Sequence, residues 1–350
     1  MGYAEYKNLV WEQRPEGLLQ FLRRFIDVSY ARLRFHVGPK YYSLFEFEKR
    51  CHADWKAYLL DYKINPEIRK LNAAGVDLAT DKLQFFEHCN KSGLPTVPIL
   101  AIFGYKNQIS LDDLGLISNP QELEAFLNKA PSKLFFKPSG GAHGDGAFVS
   151  ARQGDRWLFG SYRTIGDLWR DIGETPYIIQ PCVTPHQKLC ELTGTDVLCT
   201  IRVVTWMDEG VVKILLPVFR IPAGKNITDN FSEGENGNIA APIDPVTGVV
   251  GCGKMSIGTK LPVMVNMQRH PDTGSQIEGR VIPYWGEALE LLMCGQKAMP
   301  MLKTVGWDLA ITDSGPIIVE ANAGYGVGVL QTAHDRGIRG DLQPIFDSVN

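Results

Sequence analysis

The chain has 350 residues, of which 44% are hydrophobic and 21% are charged, and its formal net charge is −3. These values are typical of a globular protein with two or three packed subdomains, and they predict no general attraction to nucleic acid or to an anionic membrane. No apolar run is long enough to span a bilayer, and the N-terminus lacks the pattern of a secretory signal. Seven cysteines without a C-x-x-C pair favour reduced thiols, so we expect a cytoplasmic protein.

The first part of the chain is predicted to be mainly helical. Residues 1–75 contain EGLLQFLRRFIDVSYARLRF, in which apolar residues recur at helical spacing. Another helix is predicted in TDKLQFFEHCNKSG, where Thr80 would be the N-cap and Gly93 would end the helix. LPTVPILAIF then predicts a strand, and NPQELEAFLNKA predicts a short helix that begins after Asn119.

A glycine-rich loop separates two predicted strands, KLFFKP and AFVSAR. The first strand carries Lys137 near its end, and the loop contains Gly140, Gly141, Gly144 and Gly146. Glycine lets backbone amides approach a phosphate closely, and lysine adds a positive charge. A flap over a triphosphate is one interpretation of this loop, and a flexible surface hairpin is the simpler one.

Two long predicted strands, DVLCTIRVVTWM and VVKILLPVFRIP, flank the turn DEG. They carry Arg202 and Arg220, and a guanidinium group at such a stiff position suits phosphoryl or carboxylate oxygens. A surface ion pair is the more common use of such an arginine. The acidic residues of the following stretch, 223–242, are expected to lie in a solvated loop, although ordering over a substrate is the alternative. A helix is predicted at about 286–304, with an apolar stripe.

The segment DLAITDSGPIIVEAN predicts a hairpin with a three-residue loop that ends in Gly315. In that register Asp308 lies opposite Glu320, and Asn322 lies on the same face. Like charges in opposite positions repel each other, so a bound cation would explain them. Two carboxylates and an amide oxygen suit Mg²⁺. A loop of two or four residues would separate the acids, and an edge hairpin with both acids in water is the alternative.

The order of these segments resembles the ATP-grasp superfamily, from about residue 81 to residue 325. The matching segments are DKLQFFEHCNKSGLPTVP, FFKPSGGAHGDGAF, YIIQPCV, TIRVVTW and GWDLAITDSGPIIVEANAGYGVG. Within the superfamily, CTIRVVTW and YYSLFEFEK are similar to the sugar-transfer-associated branch. The resemblance implies an α+β fold in which two subdomains clamp ATP. The expected organisation is a helical region (1–75), a segment before the ATP-grasp fold (76–130), a small subdomain with the flap (131–184) and a large subdomain with the metal site (185–350).

The resemblance also implies a role for each matching position. Lys82 and Lys137 would bind the nucleotide phosphates. The flap, Gly140 to Gly146, would cover the triphosphate, and His143 within it would be either a nucleotide contact or only a polar loop residue. The adenine-binding hinge would consist of Ile179, Gln180, Pro181, Cys182 and Val183. The expected catalytic residues are Lys137, Arg202 and Arg220, of which Arg202 would neutralise the γ-phosphate or an oxyanion. One or two Mg²⁺ ions would be bound by Asp308, Glu320 and Asn322.

The family chemistry implied is activation of a carboxylate by ATP, followed by attack of an amine on the acyl phosphate. The expected substrates are a small carboxylate and an amine, such as an amino acid, a peptide or an amino sugar. A phosphotransferase that acts on a small molecule or sugar is one alternative, and a catalytically silent nucleotide-binding module is another. The sequence predicts no nucleic-acid or membrane partner, and a homo-oligomer is left open.

Overall fold

We describe the fold from a computed structural model, which describes residues 18–104, 115–139, 146–154, 156–162, 164–172, 176–258 and 260–348. The chain has the expected α+β architecture, with helices and two sheets. It divides into two compact units: the first comprises 1–76, 185–316 and 322–350, and the second comprises 77–184 and 317–321. Six of the seven residues of the predicted flap, 140–145, lie outside the described residues, and they include Gly140, Gly141, His143 and Gly144.

The described part of the N-terminal region is helical, as predicted. Its helices are α1 (Leu18–Phe35), α2 (Pro39–Leu44), α3 (His52–Trp55) and α4 (Asp61–Leu71), with a 3₁₀ turn at Phe47–Lys49. Their buried side chains, such as Val28 and Trp55, share a hydrophobic core with Val204, Val218 and Leu330 from later in the chain. The N-terminal helices are therefore part of the first unit's core.

The second unit is built around a mainly antiparallel sheet. Its strands are β1 (Ala101–Phe103), β2 (Gly115–Ile117), β3 (Lys133–Pro138), β4 (Phe148–Gln153), β5 (Arg156–Phe159) and β6 (Tyr177–Pro181). Among the described residues their order is β2-β1-β6-β3-β4-β5, and β1 and β2 are parallel. Its helices are α5 (Val76–Thr80, which leads into the unit), α6 (Lys82–Lys91), α7 (Pro120–Leu127) and α8 (Ile165–Ile172).

Two predictions in this unit need correction. The N-cap of α6 is Asp81, whose carboxylate accepts hydrogen bonds from the backbone N–H groups of Leu83 and Gln84 at 2.9 and 3.0 Å, because Thr80 still belongs to α5. The strand predicted in LPTVPILAIF is shorter than expected, since β1 begins only at Ala101. Two prolines in that segment lack the N–H group that a strand ladder requires.

The first unit is built around a second sheet. Its strands are β7 (Thr200–Asp208), β8 (Val211–Ile221), β9 (Ile239–Pro242), β10 (Gly253–Ser256), β11 (Met264–Met267), β12 (Thr304–Thr312) and β13 (Gly315–Asn322). In the described chain they are ordered β11-β10-β9-β8-β7-β12-β13. Its later helices are α9 (Gln187–Thr193), α10 (Trp285–Ala298), α11 (Val327–Ala333) and α12 (Arg339–Asp347).

The ends of several elements differ from the sequence expectations. Helix α10 ends at Ala298 rather than near 304, although Met299 and Leu302 beyond it are fully buried. The register predicted for the hairpin places Ile317 and Val319 on the face opposite that of Glu320, toward the core, but they are only half-buried, whereas Ile318 between them is fully buried. In the second unit, Ile318 forms a parallel bridge with Thr96. In the described part of the chain, no helix is long and apolar enough to cross a membrane.

Candidate active site

Three charged residues meet on adjacent strands of the first unit. Asp308 on β12 lies directly opposite Arg202 on β7 in the strand register. Arg202 donates to both carboxylate oxygens, from Nε to Oδ1 at 2.5 Å and from Nη2 to Oδ2 at 3.0 Å. Arg220 on β8, the strand beyond β7, also reaches this carboxylate, with Nη2 at 3.1 Å from Oδ2 of Asp308. All three side chains are buried, so the two arginines clamp a single carboxylate away from water.

The strand pattern explains why these side chains converge. Arg202 is opposite Val218 in the β7–β8 register, and Arg220 lies two residues further along β8, on the same face of the sheet. On β9, Ala240 is the partner of Arg220, and its small side chain leaves room for the guanidinium group. A bulge follows Arg202, and Leu216 on the facing strand has a positive φ of 50°.

A second carboxylate, that of Asp229, supports Arg220. Its Oδ2 accepts hydrogen bonds from the backbone N–H of Thr200 at 2.6 Å and from its hydroxyl at 2.5 Å, and lies 3.5 Å from Nε of Arg220. The Thr200 hydroxyl in turn accepts from Arg220. Burial raises the pKa of Asp229, and the charge of Arg220 opposes that effect. Two guanidinium groups and two carboxylates therefore form a charge-balanced buried cluster, which we call the arginine–aspartate cluster.

The contact of Asp229 with Arg220 was not predicted, because the acidic residues of 223–242 were expected to lie in a solvated loop. That expectation is wrong for Asp229, which is buried. The segment is held by the fully buried Asn238, whose amide donates to the carbonyls of Thr228 and Asn230 at 2.9 and 2.8 Å. Its oxygen accepts from the Ala223 N–H at 3.0 Å. No sequence signal distinguishes a loop acid that turns inward from one that faces water.

The hairpin of β12 and β13 carries the three predicted metal ligands. Gly315 has a φ of 113°, a conformation that favours glycine. The strand bounds leave two residues, Asp313 and Ser314, between β12 and β13, whereas the sequence predicted a three-residue loop that ends in Gly315. The side-chain amide of Asn322 donates to the Gly306 carbonyl at 3.2 Å. Asn322 and Gly306 are opposite each other in the register predicted from the three-residue loop. In that register Asp308 also faces Glu320.

Magnesium fits the chemistry of this donor set. Asp308 accepts two hydrogen bonds from Arg202 and forms an ion pair with Arg220, so a metal ion there would share the carboxylate with the arginines or displace one. Asn322 uses its nitrogen on Gly306, which leaves its oxygen as a donor atom for a cation. Glu320 is half-buried. Among the described residues, no group of three or more His, Cys, Asp or Glu side chains is placed to hold a metal, and the proposed set contains only two carboxylates.

In the second unit, Lys82 and Glu320 interact electrostatically. Lys82 is the first residue of α6, directly after the capping residue Asp81. Burial lowers the pKa of Lys82, while the negative charges of Glu320 and Asp81 raise it. A lysine predicted to bind phosphate and a carboxylate predicted to bind metal are therefore brought near each other.

The other predicted nucleotide-binding residues lie on β3 and β6 and after these strands. Lys137 is buried and is opposite Ile178 in the strand register. Gln180 is also buried, and its side-chain amide donates to the Val97 carbonyl at 3.2 Å. Pro181 ends β6, and Cys182 and Val183 follow it, so the chain leaves the middle of the sheet at these three residues.

Gly146, at the end of the predicted flap, requires glycine. Its φ is 75°, and a Cβ atom there would lie 2.8 Å from the hydroxyl oxygen of Tyr177. That hydroxyl donates to the Gly146 carbonyl at 3.1 Å. The flap is therefore anchored to β6 at this end. Residues 248–254, GVVGCGK, have the glycine and lysine spacing of a Walker phosphate-binding motif. Lys254 instead lies on β10 and forms an ion pair with Glu46 at 2.7 Å.

The fold and these residues define a protein of the ATP-grasp class. The family model described as sugar-transfer-associated ATP-grasp matches residues 64–346, and the chain belongs to that family. No curated protein matches the sequence closely enough to count as a relative.

Solved structures resemble the chain only distantly. An ADP complex of N5-carboxyaminoimidazole ribonucleotide synthetase is 12% identical, covering 71% of this chain and 46% of its own, with a TM-score of 0.41. The D-alanyl-alanine synthetase A of Vibrio cholerae is 11% identical, covering 78% and 66%, with a TM-score of 0.41. The D-alanine–D-alanine ligase of Bacillus anthracis is 12% identical, covering 80% and 73%, with a TM-score of 0.42. The chain thus spans less than two thirds of the first two structures.

Proposed function

We propose that the protein is an ATP-dependent carboxylate–amine ligase that forms an acyl phosphate and releases ADP and phosphate. The observation that carries the proposal is the arginine–aspartate cluster. Its Asp308 lies on β12, the strand that begins the hairpin of Asp308, Glu320 and Asn322. Within an ATP-grasp family member, the two guanidinium groups of this charge-balanced cluster lie at fixed positions beside oxygen donors of the hairpin. Phosphoryl transfer depends on positioning and charge neutralisation more than on covalent participation of the protein.

In the first proposed step, a substrate carboxylate oxygen attacks the γ-phosphorus of ATP. A bond forms between that oxygen and phosphorus, the bond to the β,γ-bridging oxygen breaks, and ADP leaves. In the second step, the amine attacks the acyl carbon, phosphate leaves, and the nitrogen loses a proton. We assign Lys82 and Lys137 to the nucleotide phosphates. Arg202 and Arg220 stabilise the charge that develops on the transferred group, since guanidinium groups match phosphoryl oxygens.

Magnesium would be held by Asp308, Glu320 and Asn322, and when bound it neutralises charge on the phosphate oxygens. The backbone of Gln180, Pro181, Cys182 and Val183 would contact the adenine ring. The flap that ends at Gly146 would exclude water, because water would otherwise hydrolyse the acyl phosphate. The carboxylate is expected to be small, and the amine to be an amino acid, a peptide or an amino sugar.

The first experiment is turnover of ATP and Mg²⁺ by purified protein with pooled carboxylates, with and without pooled amines. ADP formation that requires both pools, together with a condensed product mass, would support the ligase. A phosphorylated product without any need for an amine would replace the ligase with a phosphotransferase. Formation of AMP instead of ADP would contradict the acyl-phosphate mechanism.

A binding experiment separates the site from the unknown substrates. ATP affinity is measured by titration with and without Mg²⁺ for the wild-type protein and for Glu320→Ala. We expect the variant to lose the Mg²⁺-dependent part of the affinity. Glu287→Ala is the matched control, because Glu287 is an exposed acid on α10. Equal losses in the two variants, or no ATP binding by the wild-type protein, would contradict the assigned site.

A further inference from the structure

Helix α1 exposes a continuous row of large apolar side chains. Leu19, Leu22, Ile26, Tyr30 and Leu33 recur at intervals of three and four residues, which places them on one face of the helix. Leu19 is 83% exposed, Ile26 is 62% exposed and Leu33 is 82% exposed. We call these five side chains the α1 apolar stripe. Single exposed apolar residues are common on protein surfaces, whereas five on one face of a helix form an apolar band of the kind that interfacial helices present.

Four members of the stripe, Leu19, Leu22, Ile26 and Leu33, lie away from the face that attaches α1 to the rest of its unit, whereas the ring of Tyr30 also packs 5.1 Å from that of His52 and 6.1 Å from that of Trp55. That attachment is made by Val28 and Ala31, which are fully buried in the core, and by Phe35, which packs against it. At 100° per residue these three side chains point away from the stripe. The helix therefore has two apolar faces, and the structure uses one of them internally.

The charges on α1 are strongly asymmetric. The helix contains four arginines and one acid, Asp27, whose carboxylate lies 3.1 Å from the ring of His52. Arg24 turns inward and pairs with Glu48 at 3.0 Å. Arg23 and Arg34 are exposed and lie along one edge of the stripe. A chain with a net charge of −3 thus presents a basic, apolar surface at this helix.

We propose that the α1 apolar stripe binds the surface of an anionic lipid bilayer. The helix would lie in the plane of the interface, with the stripe at the boundary between headgroups and acyl chains and the arginines at the lipid phosphates. The positive charges of Arg23 and Arg34 along the edge of the stripe complement anionic lipid, and they would repel the same arginines of a second copy. The stripe from Leu19 to Leu33 measures roughly 21 Å by 10 Å, about 210 Å², whereas a stable dimer needs about 800 Å² from each partner. The expectation of no membrane partner rested on the net charge and on the absence of a spanning segment, and neither one describes a surface helix.

The test is flotation of the full chain with vesicles of phosphatidylcholine alone or mixed with phosphatidylglycerol. We expect binding to the mixed vesicles only, with a loss of affinity as salt rises. The double variant Ile26→Glu, Leu33→Glu should bind at least tenfold more weakly. The double variant Arg23→Gln, Arg34→Gln should lose roughly fivefold for each arginine. Val246→Glu is the control and should bind like the wild-type protein, because Val246 is an exposed apolar residue outside α1.

Three results would overturn the proposal. The first is a wild-type protein that floats with neither type of vesicle. The second is an Ile26→Glu, Leu33→Glu variant that binds as tightly as the wild-type protein. The third is concentration-dependent self-association in sedimentation that this double variant abolishes and vesicles do not affect, which would assign the stripe to a second copy of the chain. Circular dichroism of every variant confirms that the helix content is unchanged.

Discussion

Replacing Asp308 with asparagine tests whether the two buried arginines depend on this carboxylate. Asp308 accepts hydrogen bonds from Arg202 and forms an ion pair with Arg220, and all three side chains are buried. The variant keeps a similar shape but leaves two guanidinium groups with Asp229 as the remaining carboxylate of the cluster. Removal of one partner of a buried ion pair typically costs about 3–5 kcal/mol. Because asparagine retains one acceptor oxygen, we expect a loss of about 3 kcal/mol in the free energy of unfolding.

Urea unfolding followed by tryptophan fluorescence measures this loss, since Trp206 and Trp307 lie on the two strands that carry Arg202 and Asp308. The matched control is Asp341→Asn. Asp341 also accepts two hydrogen bonds from one arginine, Arg336, but that pair lies at the surface. Water screens an exposed pair, so the control should lose less than about 1 kcal/mol.

A double-mutant cycle with Arg202→Met isolates the contact between Arg202 and Asp308. The double variant should be more stable than the sum of the two single losses implies, with a coupling energy of about 2 kcal/mol. A coupling near zero, or a loss for Asp308→Asn no larger than that for Asp341→Asn, would refute the reasoning. The result also affects how catalysis is interpreted, because the loss of activity in an Asp308 variant would include a structural part.

Asp61 accepts a hydrogen bond from the Val327 backbone N–H, and burial raises its pKa to about 6. The folded protein therefore binds this proton more tightly than the unfolded chain does, so its contribution to stability is lost as pH rises from about 4 to about 6. Asp61→Asn should flatten that decline in urea unfolding at a series of pH values, and an unchanged slope would contradict the assignment. Gly306→Ala should lower the free energy of unfolding by about 1–3 kcal/mol, because the new Cβ would lie 2.8 Å from Cγ of the buried Tyr325. A variant as stable as the wild type would show that this packing can relax. Burial raises the pKa of the Cys199 thiol. A thiol reagent should therefore modify the exposed Cys294 in the native protein and Cys199 only after unfolding, as followed by mass spectrometry. Modification of Cys199 in the native protein would contradict its burial.

The sequence determined those elements whose local pattern is strong. Periodic apolar residues predicted α1, and the alternating runs around Asp208, Glu209 and Gly210 predicted β7 and β8. Glu209 and Gly210 have positive φ angles of 47° and 83° at the turn, as expected for a tight hairpin connection. The order of short motifs identified the ATP-grasp superfamily, because each motif couples a residue type to a neighbouring turn or strand.

The arginine–aspartate cluster was decided by the tertiary structure. The sequence predicted that Arg202 and Arg220 would occupy stiff strands and that Asp308 would occupy a hairpin, but strand order and register place them on one face. Asp229 joins them from a loop whose composition is typical of a solvated segment, because Asn238 draws that loop inward. Local propensity acts over a few residues, whereas the cost of a buried charge is removed only by partners that are distant in the sequence. The identity of those partners therefore emerges only when the strands are assembled.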